Sequence, residues 1–526
     1  MPLTPAYNET RLGLDVPVLT DSYTPEELVA MVLQHAVDIS VAYAAEQGKS
    51  LDQPPQDVSL TIPSFATQTQ RQALLDAATL AGLNVLGLVD ETVASALHYA
   101  MDKNFDEPQT ILFYNMGATA LQVAVVRFFT DELPQKYGKP KKVPALQVLA
   151  KTADSTIGGQ ALDHVILEFL ADEFNTAWHK ASGKKDGDVR QVPRALQKLK
   201  IQANKVKHVL SANTEIPVYM DAVHDDVNLQ TTISRDKLEQ LAHDLWSKAV
   251  APVTLALKMA NITDTSNITV ELLGGGMRVP RIQTELAKAL KIPEADLGKH
   301  INSDESMALG AAFAGANVST AFRVRHVGMT DITSLGFSVA LSDASDAEWS
   351  KQATVFKAYS KLGVKKTIAF THTTNIECAL DYDDSNDDAP LPEGTPKELE
   401  RYKISGIDEF AKEKEELGKP KISLQFELSS SGIASLVKAE AAVEETYTVE
   451  EEVEVDDDEA ADKGDDEKTS TGDEKEKKDD EAEKKEDEEK EDEKESKDDE
   501  KNATDDKKDK KKPKKTIKVE KVRTNA

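Results

Sequence analysis

Between residues 56 and 128 the hydrophobic pattern switches repeatedly between strand-like and helix-like spacing. Val58-Ser59-Leu60-Thr61-Ile62 reads as a strand stopped by Pro63. From Gln68 to Ala81, Leu74, Leu75, Ala78 and Ala81 fall at helical spacing, and Gly82 is placed to end the helix. Val85 to Val89 is strand-like again, 91–101 is helical and Ile111 to Tyr114 is extended. Gly117 then marks a tight turn before the alternating run Leu121-Gln122-Val123-Ala124-Val125, so the last two runs predict a hairpin. Strands interleaved with helices predict α/β layering.

Helical spacing dominates from 157 to 260, interrupted by a β patch at 215–233. Ile268 to Leu273 has the continuous apolar character of a buried strand and runs into Gly274-Gly275-Gly276. A helix follows with Pro280 in its first turn, where the missing N–H is harmless. After about residue 322 the pattern turns to β, most clearly in the alternation of Ile422 to Leu428 with a turn at Ser429 to Gly432. Asp456 to Thr516 contains no Val, Ile, Leu, Met, Phe, Trp or Tyr. Such a segment has nothing to bury against its ordering entropy and is expected to be disordered.

Charge sharpens this division. The chain of 526 residues carries a net charge of −30. Between Glu451 and Lys510 lie 32 acids and 14 bases, a local net of −18, which leaves −12 on the rest. A chain this negative repels phosphate backbones, so nucleic acid is not an expected partner. The single cysteine, Cys378, excludes an internal disulfide framework. No uninterrupted apolar run reaches the length of a membrane span, and no membrane association is expected. The N-terminus lacks the basic and apolar regions of a signal peptide.

Candidate chemistry is sparse. There is no Walker lysine loop, zinc-helix motif or nucleophile elbow, and no metal ligand is assigned. Gly274, Gly275 and Gly276, with Arg278 just beyond, stand between a strand and a helix, where glycines let backbone approach a ligand and a guanidinium can stack on a purine. The structural alternative is a plain strand-to-helix turn with a surface arginine. Gly158-Gly159 precedes another helix and offers a second phosphate-facing turn. Asn204, Lys207, His208 and Ser211 share one helix face, which is either a ligand wall or a solvated surface.

Ile62-Pro63-Ser64-Phe65, Gln70-Arg71-Gln72-Ala73, Gly158-Gly159, Leu210-Ser211-Ala212-Asn213, the glycine-arginine motif at 274–280 and Gly310-Ala311-Ala312 stand in order over about 260 residues. Together they resemble the nucleotide-binding domain of the heat shock protein 70 superfamily. Phe426-Glu427-Leu428 with Gly432-Ile433 resembles the end of that family's substrate-binding β-sandwich. The acidic insertion, and Ala321-Phe322-Arg323-Val324-Arg325 in place of a hydrophobic linker, resemble the large branch and most of all its endoplasmic-reticulum member.

The resemblance implies an incomplete actin-like (ribonuclease H-like) α/β nucleotide-binding domain, then a β-sandwich and a disordered acidic segment. The implied boundaries are a remnant of a first lobe at 1–55, the actin-like domain at 56–320, the β-sandwich at 321–447, the acidic loop at 448–515 and the start of a C-terminal element at 516–526. ATP or ADP would be held by Gly117, Gly158, Gly159, Lys207, His208, Ser211, Gly274, Gly275, Gly276 and Arg278, with Glu91 as the one matching acid near the γ-phosphate. The family's first phosphate hairpin and its lysine are absent here, and the chain reads as truncated at both ends. In the second hairpin, Asn115-Met116-Gly117-Ala118-Thr119-Ala120 replaces the family aspartate by Asn115 and its threonine by Ala120. Magnesium binding is therefore expected to be weak or absent, and ATP hydrolysis negligible. The implied function is a chaperone of the endoplasmic-reticulum lumen, holding unfolded clients and exchanging nucleotide on the endoplasmic-reticulum heat shock protein 70, the immunoglobulin-binding protein. The alternatives are an ATP-hydrolysing foldase, a cytoplasmic location and, remotely, an actin-fold sugar kinase.

Overall fold

The computed structural model describes residues 4–8, 11–15, 22–49, 53–135, 139–183, 187–319, 323–343, 345–346, 348–386, 390–392, 394–454 and 514–525. The acidic segment between 455 and 513 lies outside them, and with it most of the expected disordered loop. Three short strands, β1 (Thr4–Asn8), β2 (Arg11–Asp15) and β3 (Ser22–Tyr23), form a small antiparallel sheet before helix α1 (Pro25–Glu46). A capping box starts α1: Glu27 N–H donates to Thr24 Oγ1 and Thr24 N–H to Glu27 Oε2.

By length and composition α1 could cross a membrane, which corrects the expectation that no segment could. His35 and Asp38 interrupt the apolar run of α1 without removing its apolar balance. Buried helices and leader sequences share this property.

The strands and helices read between 56 and 128 are present. They are β4 (Asp57–Ile62), α2 (Gln68–Leu80), β5 (Asn84–Asp90), α3 (Glu91–Ala100), β6 (Gln109–Met116) and β7 (Leu121–Leu133). Gly82, at φ +73°, takes the left-handed turn that ends α2, donating its N–H to Thr79 O. β8 (Lys141–Asp154), α4 (Gly159–Ser182) and α5 (Pro193–Ala212) follow, then the hairpin β9 (Glu215–His224) and β10 (Val227–Ser234). Short helices α6 (Arg235–Leu241), α7 (His243–Lys248) and α8 (Ala251–Met259) lead to β11 (Thr269–Leu273), α9 (Pro280–Leu290), β12 (Leu297–Gly298) and α10 (Ser306–Val318).

One mixed sheet, ordered β12-β11-β6-β7-β8 and closed by β13 (Gly328–Thr330), organises this part. β6, β7 and β8 form an antiparallel meander, while β11 joins β6, and β12 joins β11, in parallel. Both faces are buried. Leu112, Tyr114, Val123 and Val125 pack with Trp246, Val253 and Ile282 on one side. Ile111, Phe113, Ala124 and Val126 pack with Val93 and Leu97 on the other. Helices on both faces explain why β6 is apolar at consecutive positions rather than alternating. α4, α5 and the β9–β10 hairpin enclose a separate core around Phe174, Leu199 and Val218.

The remaining strands are antiparallel: β14 (Gly336–Asp343), β15 (Ser350–Phe356), β16 (Val364–Thr371), β17 (Ile376–Asp383) and β18 (Glu398–Ile404), then helix α11 (Ile407–Glu413), β19 (Lys421–Leu428) and β20 (Ala434–Glu454). They form the sheets β15-β14-β17-β18 and β16-β19-β20, which share one core containing Val339, Leu380, Leu424 and Phe426. A second unit begins at Val443. There the rest of β20 pairs antiparallel with β21 (Lys514–Asn525).

Residues 1–442 form one compact unit. The junction is densely hydrogen-bonded. Tyr382 Oη accepts from Gln68 N–H at 2.6 Å, Gln68 exchanges two bonds with the Ala434 backbone, and Arg71 donates to Ser431 O at 3.1 Å. Beneath lies a sealed ion network. Lys151 Nζ is 2.5 Å from Asp90 Oδ2 and 2.9 Å from Asp331 Oδ1, and Arg71 reaches Asp90 Oδ1 at 3.0 Å. Two cations and two anions balance, each side chain at most 8% exposed. Burial alone would raise the Asp90 carboxyl, but Lys151 and Arg71 bring it below its ordinary value. Burial would lower the Lys151 ammonium, but Asp331 and Asp90 hold it above.

Candidate functional site

The hairpin turn between β6 and β7 meets the start of α4, the middle of α5 and the turn after β11 around a cavity of about 310 Å³. Eight residues singled out from sequence line it: Gly117, Gly159, Lys207, His208, Ser211, Gly275, Gly276 and Arg278. They come from four segments far apart in the chain. Ala118, Asn204 and Val279 complete the wall.

The glycines are required by close approach. Gly274 sits at φ +80°, and a Cβ there would lie 2.3 Å from Met116 O and 2.8 Å from Asn115 Oδ1. A Cβ on Gly276 would lie 2.6 Å from Met116 Cγ. The turn after β11 is thereby pressed against the end of β6. Gly274 serves this packing from outside the cavity lining. Gly158 does the same for α4, since a Cβ there would lie 2.5 Å from Ala118 O.

That contact changes the reading of the Gly158-Gly159 turn. Gly159 N–H donates to Gly117 O at 2.9 Å and Gln160 N–H to Ala118 O at 2.8 Å. The first amides of α4 are thus taken up by the hairpin rather than offered to a phosphate. The polar wall is better placed. Lys207 Nζ donates to Gly159 O at 3.1 Å and to Asp163 Oδ2 at 2.9 Å, and Asn204 Nδ2 donates to the same Oδ2 at 3.0 Å. Asp163 escaped the sequence reading. Its one signal is a carboxylate one helical turn past Gly159, opposite a lysine-bearing helix. Ser211 Oγ donates back to Lys207 O at 3.0 Å. Arg278 keeps its guanidinium 65% exposed, with Asp304 at 3.2 Å.

Glu91 lies outside the cavity lining. Its Oε2 accepts from Gln122 Nε2 at 2.5 Å and from Asn115 Nδ2 at 3.4 Å, and burial pushes its carboxyl above the ordinary value. Asn115 Oδ1 is buried and has no hydrogen-bond partner among the described residues. An aspartate at 115 would place a second carboxylate beside Glu91. The amide donates to Glu91 instead.

The glycine floor is open at Gly275, where a Cβ would meet nothing within 4 Å, and Arg278, Lys207, His208 and Ser211 supply the polar side chains of the lining.

The family model for Hsp70 protein matches residues 5–526. The chain is 33% identical over 447 residues to heat shock 70 kDa protein 17 of Arabidopsis thaliana, covering 84% of this chain and 49% of that relative. Against hypoxia up-regulated protein 1 of Xenopus laevis it is 30% identical over 445 residues, covering 82% and 66%. Against the Homo sapiens protein of the same name it is 30% identical over 434 residues, covering 80% and 42%. The chain therefore spans between 42% and 66% of the length of these relatives. With the glycine-lined cavity, the mixed sheet and the antiparallel region all inside the matched residues, the chain belongs to the Hsp70 protein family.

Proposed function

We propose that this chain is the nucleotide-binding and client-facing part of a large-branch Hsp70 chaperone. It binds adenine nucleotide mainly through the adenosine, and it works as a holdase and as a nucleotide-exchange factor for the endoplasmic-reticulum heat shock protein 70 (the immunoglobulin-binding protein), in the endoplasmic-reticulum lumen. The observation that carries this reading is the convergence of Gly117, Gly159, Lys207, His208, Ser211, Gly275, Gly276 and Arg278 on one cavity. The β8-β7-β6-β11-β12 order supports the actin-like assignment, and the names of the relatives support the branch.

Bound ATP would supply phosphate charge that changes on hydrolysis. This chain's residues hold and orient the nucleoside: Arg278 offers a planar face to the base, and Lys207 and Asn204, both donating to Asp163 behind them, form a polar wall. Glu91 lies outside the cavity lining and its Oε2 is taken up by Gln122 and Asn115, so it is poorly placed to activate water at the γ-phosphate. A cavity of about 720 Å³ beside α11, lined by residues that include Asp343, Thr374, Asp408, Ala411 and Lys412, is the place in the antiparallel region where a client segment would rest.

Nucleotide-dependent thermal shift tests the reading. Adenosine and ADP should raise the melting temperature to similar extents, and Arg278→Ala should remove most of the shift. Phosphate release from ATP should stay at background. Equal protection of the parent and Arg278→Ala chains, or turnover that disappears in Glu91→Gln, would return the advantage to an ATP-hydrolysing foldase.

A further inference from the structure

α4 and α5 also frame a groove of about 650 Å³ that shares Asn204 and borders the candidate nucleotide cavity. α5 is exceptional in an acidic chain. Its 20 residues hold Arg194, Lys198, Lys200, Lys205 and Lys207 and no carboxylate. Lys200 and Lys205 are exposed, line the groove and form no ion pair among the described residues. The one carboxylate in the lining, Asp163, is already matched by Lys207 at 2.9 Å. The field in the groove is therefore positive, although the whole chain is negative.

The rest of the lining says what kind of anion fits. Ile201 is 52% exposed beside buried Leu167, giving an aliphatic patch between the two lysines. Gln160, Gln197 and Asn204 present amides that both donate and accept, as an extended backbone requires. From Gln197 to Lys205 the helix advances about 12 Å, the length of a short peptide rather than of a single small anion. Two uncompensated lysines are too few to hold a nucleic acid backbone against the charge of this chain.

We propose that the α4–α5 groove binds an acidic peptide segment of a partner protein. An aliphatic side chain would rest on Leu167 and Ile201, with flanking carboxylates on Lys200 and Lys205. This site is separate from the nucleotide reading, since neither lysine lines that cavity.

The test is fluorescence anisotropy with the full chain and a labelled Asp-Glu-Leu-Glu-Asp peptide. Binding should weaken as salt is raised. Lys200→Glu with Lys205→Glu should cost roughly tenfold in affinity, as expected for two rim charges. The double arginine variant should bind like the parent, and a peptide with serine in place of leucine should bind several-fold more weakly. Thermal melts establish that each variant is folded, because all substituted side chains are exposed. The proposal is overturned if the parent does not bind, if the double glutamate variant binds equally, or if the serine peptide is indistinguishable. It is also overturned if a labelled single-stranded oligonucleotide binds with the same dependence on Lys200 and Lys205.

Discussion

The candidate nucleotide cavity and the junction around Lys151 both assemble charges from distant parts of the chain, but they treat those charges oppositely. At the cavity Arg278 stays 65% exposed, and glycines rather than side chains set the close contacts. At the junction Lys151 is 1% exposed and Asp90 2%, with every charge facing an opposite one. An exposed guanidinium is available to a ligand and adds little to stability. A sealed network does the reverse: it recognises nothing outside, but loss of any member leaves a buried charge unmatched. The first arrangement suits binding and the second suits holding the antiparallel strands against the α/β sheet.

The largest effect is expected from Lys151→Met. It leaves Asp90 and Asp331 buried together with only Arg71 to oppose them, and should lower stability by about 3–5 kcal/mol in denaturant unfolding. A loss below about 1 kcal/mol would mean that water reaches these carboxylates, and the contrast between the two regions would collapse.

The same network predicts an acid dependence. A carboxyl whose folded pKa is depressed contributes stability above its unfolded value, here 3.8, and loses that contribution as pH falls through the lower folded value. Asp90→Asn should therefore be destabilising at neutral pH, with the gap from the parent closing below about pH 3.8. Asp331, whose carboxyl burial holds above 3.8, works in the opposite direction and is present in both chains. Urea titrations at stepped pH measure the gap, and a constant gap down to pH 2 would remove Asp90 from the network's energetics.

Smallest of all should be the stability change for Arg278→Ala, within about 0.5 kcal/mol without nucleotide, because its partner Asp304 is equally exposed. A larger loss would make Arg278 a structural residue and move the cavity toward the behaviour of the junction.

Much of this could be read from the residues in order. Period-2 and period-3.6 runs placed β4, α2, β5 and α3, and Gly82 ended α2 where expected. The glycine-arginine turn and the Lys207 face, both visible as local patterns, line one cavity. These signals are local: a strand, a helix stop or a glycine turn is decided within a few residues by sterics and burial pattern. The family also follows from sequence, since it rests on ordered motifs.

What the tertiary structure alone decided are the partners. Asp90 stands at the N-cap of α3, where a carboxylate ordinarily accepts from its own helix, yet it makes no capping bond and serves Arg71 and Lys151 instead. Lys151 lies in an apolar strand run 61 residues from Asp90, and nothing in its neighbours shows that its ammonium is sealed. The amides of α4 looked free for phosphate until the hairpin carbonyls of Gly117 and Ala118 met them. Whether a polar group faces ligand, solvent or an opposite charge depends on which distant segment the chain brings back against it, and local pattern carries no record of that return.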